Sequence, residues 1–168
     1  MPFRPGDEGV TVRFTRNEAL VLADLAGELI DLLEQRGPDA TGDMLYAQLG
    51  IGGSSTPPLD PALARLLPDA YRDDEDAASD HRRLTERSLV DRKLANARRV
   101  LADLDDPVVV LDEQGIQSWL RTLTDLRLAL AARLQIEEDG DTGLGDEDML
   151  MIYDWLGYLQ GSLVEVIE

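Results

Sequence analysis

The stretch that most limits the fold is residues 63–104, LARLLPDAYRDDEDAASDHRRLTERSLVDRKLANARRVLADL. It holds a short apolar run, a proline stop at Pro68, an acidic cluster, a basic cluster and a long helical tail. Asp74 is placed to cap a helix over about residues 74–105, and Asp106-Pro107 closes it. On a helical wheel Ala77, His81, Leu84, Ser88 and Ala95 share one face. Val90, Leu94, Ala97, Leu101 and Leu104 share a second face, rotated from the first. Two apolar faces predict different neighbours at the two ends, as expected of a central helix.

The rest of the chain supplies what would pack around it. Residues 1–9, rich in proline, glycine and charge, read as a loose start. Val10, Val12 and Phe14 alternate with polar residues, the pattern of a strand with one buried face. Thr15 and Glu18 have capping-box spacing, which opens a helix running to about Gln35, with Gly37-Pro38 as its stop. Leu22, Leu25, Ala26, Leu29 and Leu33 form its apolar stripe. A short helix fits residues 39–49, followed by a Gly/Ser/Pro loop over 50–58. Asp60-Pro61 starts another short helix carrying Leu63, Leu66 and Leu67. Residues 108–111, VVVL, need a buried partner, and 10–14 is the obvious one. Asp112 then caps a helix over about 113–136, with Ile116, Trp119, Leu123, Leu126, Leu130 and Leu134 three or four apart. After an acidic glycine-rich loop, a last helix at about 147–166 carries Leu156, Leu159, Leu163 and Ile167. The expected fold is mainly α: one domain over 1–168, about five helices around the long central one, and a two-stranded ribbon of 10–14 with 108–111.

Charge and motifs narrow the chemistry. The chain has 34 acidic against 16 basic residues, a net charge of −18, which repels nucleic acid and anionic membranes at long range. It has no cysteine, so disulfides, thiolate zinc sites and thiol nucleophiles are excluded together. The N-terminus MPFRPGDEGV lacks the apolar core of a signal peptide, and no apolar run reaches the roughly 18 residues of a membrane span. A cytoplasmic setting is expected. The loop at 50–58 lacks the lysine of a phosphate-binding loop. The loop 139–148 puts Gly143 and Leu144 where an EF-hand needs a ligand and a glycine. His81 is the only histidine and lies on an apolar face, and no nucleophile–base pair accompanies it. No cofactor and no metal site are expected.

The candidate residues lie in two places. Arg82, Arg83, Arg87, Arg92, Lys93, Arg98 and Arg99 form a basic cluster scattered around the wheel. Acids sit at pair spacing: Glu86 for Arg82, Asp91 for Arg87 and Asp103 for Arg99. Capping and ion pairing are the simpler reading. Tyr71, Asp73, Asp74, Glu75, Arg82, Arg83 and Arg87 remain as an interaction or structural network. A cation on the 73–76 carboxylates would require them to converge, and their position at a helix start explains them without one. On the last helix, Trp155 and Tyr158 would mark a binding surface if exposed.

Three blocks resemble a known family: LARLLPDAYRDDEDAASDHRRLTE at 63–86, WLRTLTDLRLALAARL at 119–134 and YDWLGYLQGSLV at 153–164. They are similar to the bacterial domain-of-unknown-function family 2017, typical of actinomycetes, and with the first strand and helix the resemblance covers nearly the whole chain. It implies a small cytoplasmic protein, encoded near a protease-adaptor gene and a metalloprotease or cysteine-synthesis cluster, in some members labelled a transcriptional regulator. Cysteine-based redox sensing is associated with the group and does not carry over to a chain without cysteine. An aromatic residue is common in the family where His81 stands, so His81 does not carry over as a shared site. The leading expectation is a non-enzymatic regulatory or adaptor protein that binds another protein. Direct DNA contact through residues 82–99 is the second reading, and a metal-dependent enzyme built on the 73–76 carboxylates the third. The apolar stripes of the terminal helices are equally compatible with a homodimer.

Overall fold

The structure, a computed structural model, describes residues 2–35, 60–67, 75–134 and 147–168, with the backbone alone for 75–84. Strand β2, Gly9–Arg13, is antiparallel to β3, Val108–Leu111, in the register Val10↔Leu111 and Val12↔Val109. Val10, Val12, Val109 and Leu111 point inward and are buried, so the alternation expected of 10–14 holds, and 108–111 alternates as well, with Val108 and Val110 exposed. The ribbon is wider than expected. Arg4–Gly6 forms a further strand, β1, hydrogen-bonded to β2 at the edge of a three-stranded sheet.

The start of the chain is thus ordered, against the expectation of a loose segment. Pro5 cannot donate to a ladder, which an edge strand tolerates. The turn between β1 and β2 depends on Gly9, whose φ of 138° suits glycine, and an added Cβ there would run into the Leu111 carbonyl. Phe3 anchors the segment. Its ring is fully buried, and its N–H donates to Ser162 Oγ at 3.2 Å.

Helix α1, Arg16–Glu34, opens with the expected capping box. Glu18 N–H donates to Thr15 Oγ1 at 3.2 Å, and Thr15 N–H donates to Glu18 Oε1 at 2.8 Å. Leu22, Ala26, Leu29 and Leu33 of the stripe are buried and Leu25 partly so. Helix α2, Pro61–Leu66, is capped by Asp60, whose Oδ1 accepts from Ala62 N–H at 2.8 Å. Helix α3 is Glu75–Asp103, α4 is Glu113–Leu134 and α5 is Glu147–Ile167. The short helix expected at 39–49, the stop at Gly37-Pro38 and the loops at 50–58 and 139–146 lie outside the described residues.

Among the described residues, α3 packs against α1 and α4, whereas α4 packs against α1, α2, α3, α5 and β3. Among the described residues α4 meets more elements than α3, whose first ten residues are described by backbone alone. The second apolar face of α3 is as expected, with Val90, Leu94 and Ala97 buried. Of the first face, Ser88 and Ala95 are exposed, because both neighbours approach α3 on its valine–leucine side. On α4 every apolar residue of the expected stripe is buried or half-buried, and Trp119 is fully so. Phe14 stacks on Trp119 at 5.8 Å, and Phe3 meets both rings edge-on at about 6 Å. In α5, Leu156, Leu159 and Leu163 are buried, but Ile167 is exposed at the helix end. No helix of the described residues is long and apolar enough to cross a membrane.

Candidate functional site

The basic cluster of α3 is largely consumed by the fold. Arg87 Nε lies 3.4 Å from Asp91, the expected i,i+4 pair. Arg98 reaches Glu34 of α1 at 2.8 Å. Arg99 Nε donates to Asp103 at 3.2 Å, and its terminal nitrogen reaches Asp112 at 3.4 Å. Lys93 bonds Asp125 of α4 at 2.6 Å. Of the side chains described in this cluster, Arg92 has no ion pair. Arg82 and Arg83 lie where only the backbone is described, as does Glu75; Tyr71, Asp73 and Asp74 lie outside the described residues. Among the described residues, no three His, Cys, Asp or Glu side chains are grouped to hold a metal.

Several of these pairs have structural purposes. Asp103 Oδ2 accepts from the Trp119 indole N–H at 2.9 Å, so the Arg99–Asp103 pair supplies the acceptor that a buried indole requires. Asp112 Oδ1 accepts the Gly115 N–H at 2.7 Å and caps α4. That backbone hydrogen bond, and then the Arg99 charge, hold the Asp112 carboxyl below its ordinary range. Asp125 is different: burial pushes its carboxyl up, against the opposing pull of Lys93.

The exposed part of α5 has no such internal use. Tyr158 is 56% exposed and Met151 69%, and Val164 and Ile167 also reach solvent. Trp155 is half-buried, with part of its ring packed on the core. Beside it a groove of about 380 Å³ runs between the first turn of α1 and α5, walled by Val21, Met151, Ile152 and Trp155. Residues 147–168 include Glu147, Asp148, Asp154, Glu165 and Glu168 and no basic residue. The sequence pointed to Trp155 and Tyr158. It missed Met151, Val164 and the exposed end at Ile167, because an apolar stripe looks the same whether the core or solvent lies beside it.

In comparison with known proteins, no solved structure matches this chain. The oxidative stress regulator AosR of Mycobacterium tuberculosis is 35% identical over 171 residues, spanning 90% of this chain and 78% of the relative. The protein of that name from Mycobacterium bovis matches equally. The putative oxidative stress regulator AosR of Mycobacterium leprae is 34% identical over 168 residues, spanning 88% and 77%. The model of the family described as Domain of unknown function (DUF2017) matches residues 1–167, and the chain belongs to that family.

Proposed function

We propose that the protein is a non-enzymatic cytoplasmic regulator that works by docking a protein partner on the exposed face of α5. A role in the response to oxidative stress is carried over from the names of its relatives. The observation that carries the docking reading is the exposed pair Met151 and Tyr158 with the half-buried Trp155, which share one side of α5. An aromatic that walls an apolar groove, as Trp155 does, and an exposed aromatic on the same side of the helix, as Tyr158 is, are usual anchors of an interface. The charge of the face selects the partner. Five acids and no base favour a basic, apolar surface and disfavour both a second copy of this face and the nucleic-acid backbone. With no thiol in the chain, an oxidative signal has to reach it by a route other than its own cysteines.

The test is cross-linking in native cells with the wild type and with Tyr158→Ala and Met151→Ala, followed by binding of the purified partner. A partner with a basic apolar surface, whose binding weakens in both variants and with added salt, is expected. Partners retained equally by both variants, or recovery of nucleic acid alone, would overturn this reading. Direct DNA contact through α3 gains no support from the described arginines and lysine, four of the five being engaged with carboxylates.

A further inference from the structure

A second groove, of about 370 Å³, lies between α3 and α4, on elements separate from the α5 face. Its floor is the ion pair of Lys93 and Asp125, side chains only 17% and 4% exposed. Lys93 is the only lysine in a chain with 15 arginines. Arg92 and Arg121 also line the groove, and neither has a carboxylate partner among the described residues.

That lack of partners is built into the sequence. Arg87 and Arg99 each have an acid four residues on, whereas Arg92 has Ser88, Leu89, Ala95 and Asn96 at the helical pair positions. Arg121 has Asp125 at i+4, but Asp125 Oδ1 is taken by Lys93 and its Oδ2 is sealed from solvent. In a chain with twice as many acids as bases, two arginines and a lysine beside one carboxylate form a local positive site. It stays positive whether Asp125 is ionised or protonated.

The groove's other polar groups are also sorted. Asn96 Oδ1 accepts from Ser118 Oγ at 3.1 Å, which leaves its amide N–H₂ to donate. Thr124 Oγ1 donates to the Leu120 carbonyl and accepts from Gln160 Nε2. The acceptors are therefore occupied or sealed, while guanidinium, ammonium and amide donors remain. Leu89 and Leu120 add apolar wall.

We infer that this groove binds a small organic oxyanion, a carboxylate or phosphate head carried on a short apolar body. Arginine forks match both heads in a two-bond geometry. The volume is that of a small-molecule site, typically about 300–1,000 Å³, rather than of a macromolecular footprint.

The test uses the full chain at low ionic strength, titrated calorimetrically with phenyl phosphate and, separately, with phenylacetate. The wild type should show one saturable site for at least one of them. Binding should fall about tenfold or more in Arg92→Gln/Arg121→Gln, since each arginine makes a charge-assisted contact. Both arginines are exposed, so the double variant should keep the wild-type melting temperature and circular dichroism. Tighter binding of one probe would identify the head group, and equal binding would show that the groove reads the oxyanion alone. Saturation by neither probe, or equal binding to the double variant, would overturn the inference.

Discussion

Helices α3 and α4 lie side by side and solve opposite problems. Helix α3 is the longer, 29 residues against 22, and carries 13 charged residues against five on α4. Among its described side chains it buries one stripe, Val90, Leu94, Ala97 and Val100, together with Glu86, and leaves the rest half-buried or exposed. Helix α4 buries residues on several sides, among them Gly115, Ser118, Trp119, Thr122, Leu126 and Ala131. Small and hydroxyl side chains let neighbours come close, and Trp119 fills the space beneath the sheet. The difference teaches that length and charge do not make a hub. A helix becomes one when it has apolar or small residues on more than one side.

The largest expected effect tests that assignment directly. Trp119→Ala should cost about 3–5 kcal/mol of stability by leaving a cavity below Phe3 and Phe14, read by urea denaturation. If it costs no more than a surface substitution on α3, the hub is misassigned.

Next is the bond between the two helices. Lys93→Met should cost about 3 kcal/mol, because Asp125 is left charged and buried without a partner. Burial already holds that carboxyl above its ordinary value. A raised carboxyl binds its proton more tightly in the folded state, so its contribution is full at low pH and is lost as pH rises through the raised value. Without Lys93 the rise should grow, and the variant should recover part of its stability on acidification. Denaturation at several pH values checks this, and a loss independent of pH would count against Asp125 as its cause.

A smaller loss is expected from Asp112→Ala, which removes the cap of α4, while Asp112→Asn should keep most of it. The lowered carboxyl of Asp112 has the opposite pH sense: its contribution is present above the ordinary carboxylate range and lost as pH falls. Thermal melts of both variants at neutral and acidic pH would show it. Smallest is Arg98→Ala on α3. Its pair with Glu34 is about half exposed on both sides and should be worth only a few tenths of a kcal/mol, read from the urea midpoint.

Much of this fold is legible residue by residue. The capping box at Thr15 and Glu18, the Asp60-Pro61 start and the α4 stripe rest on local chemistry, and local chemistry survives folding; the pairing of 10–14 with 108–111 is not local and was legible because each strand pattern had one obvious partner. Strand β1 was not legible, since a three-residue strand containing Pro5 has no periodicity and is held by the turn at Gly9 and by Phe3, which is anchored on a residue 159 positions away. The candidate sites divide the same way. Trp155 and Tyr158 could be named from the sequence, and the i,i+4 pairs of Arg87 and Arg99 followed from spacing. The Lys93–Asp125 floor could not, because its partners are 32 residues apart on different helices.

The amino-acid sequence by itself determined which of the described segments are helices, about where they start, and that no thiol chemistry is available. Periodicity, caps and composition act over a few residues and need no neighbour. Only the tertiary structure decided that α4 meets more elements than α3 among the described residues, that Lys93 and not Arg121 takes Asp125, and that Met151 and Tyr158 face solvent. An apolar stripe or a lone charge is defined locally, but its burial and partnering depend on what distant parts of the chain bring against it.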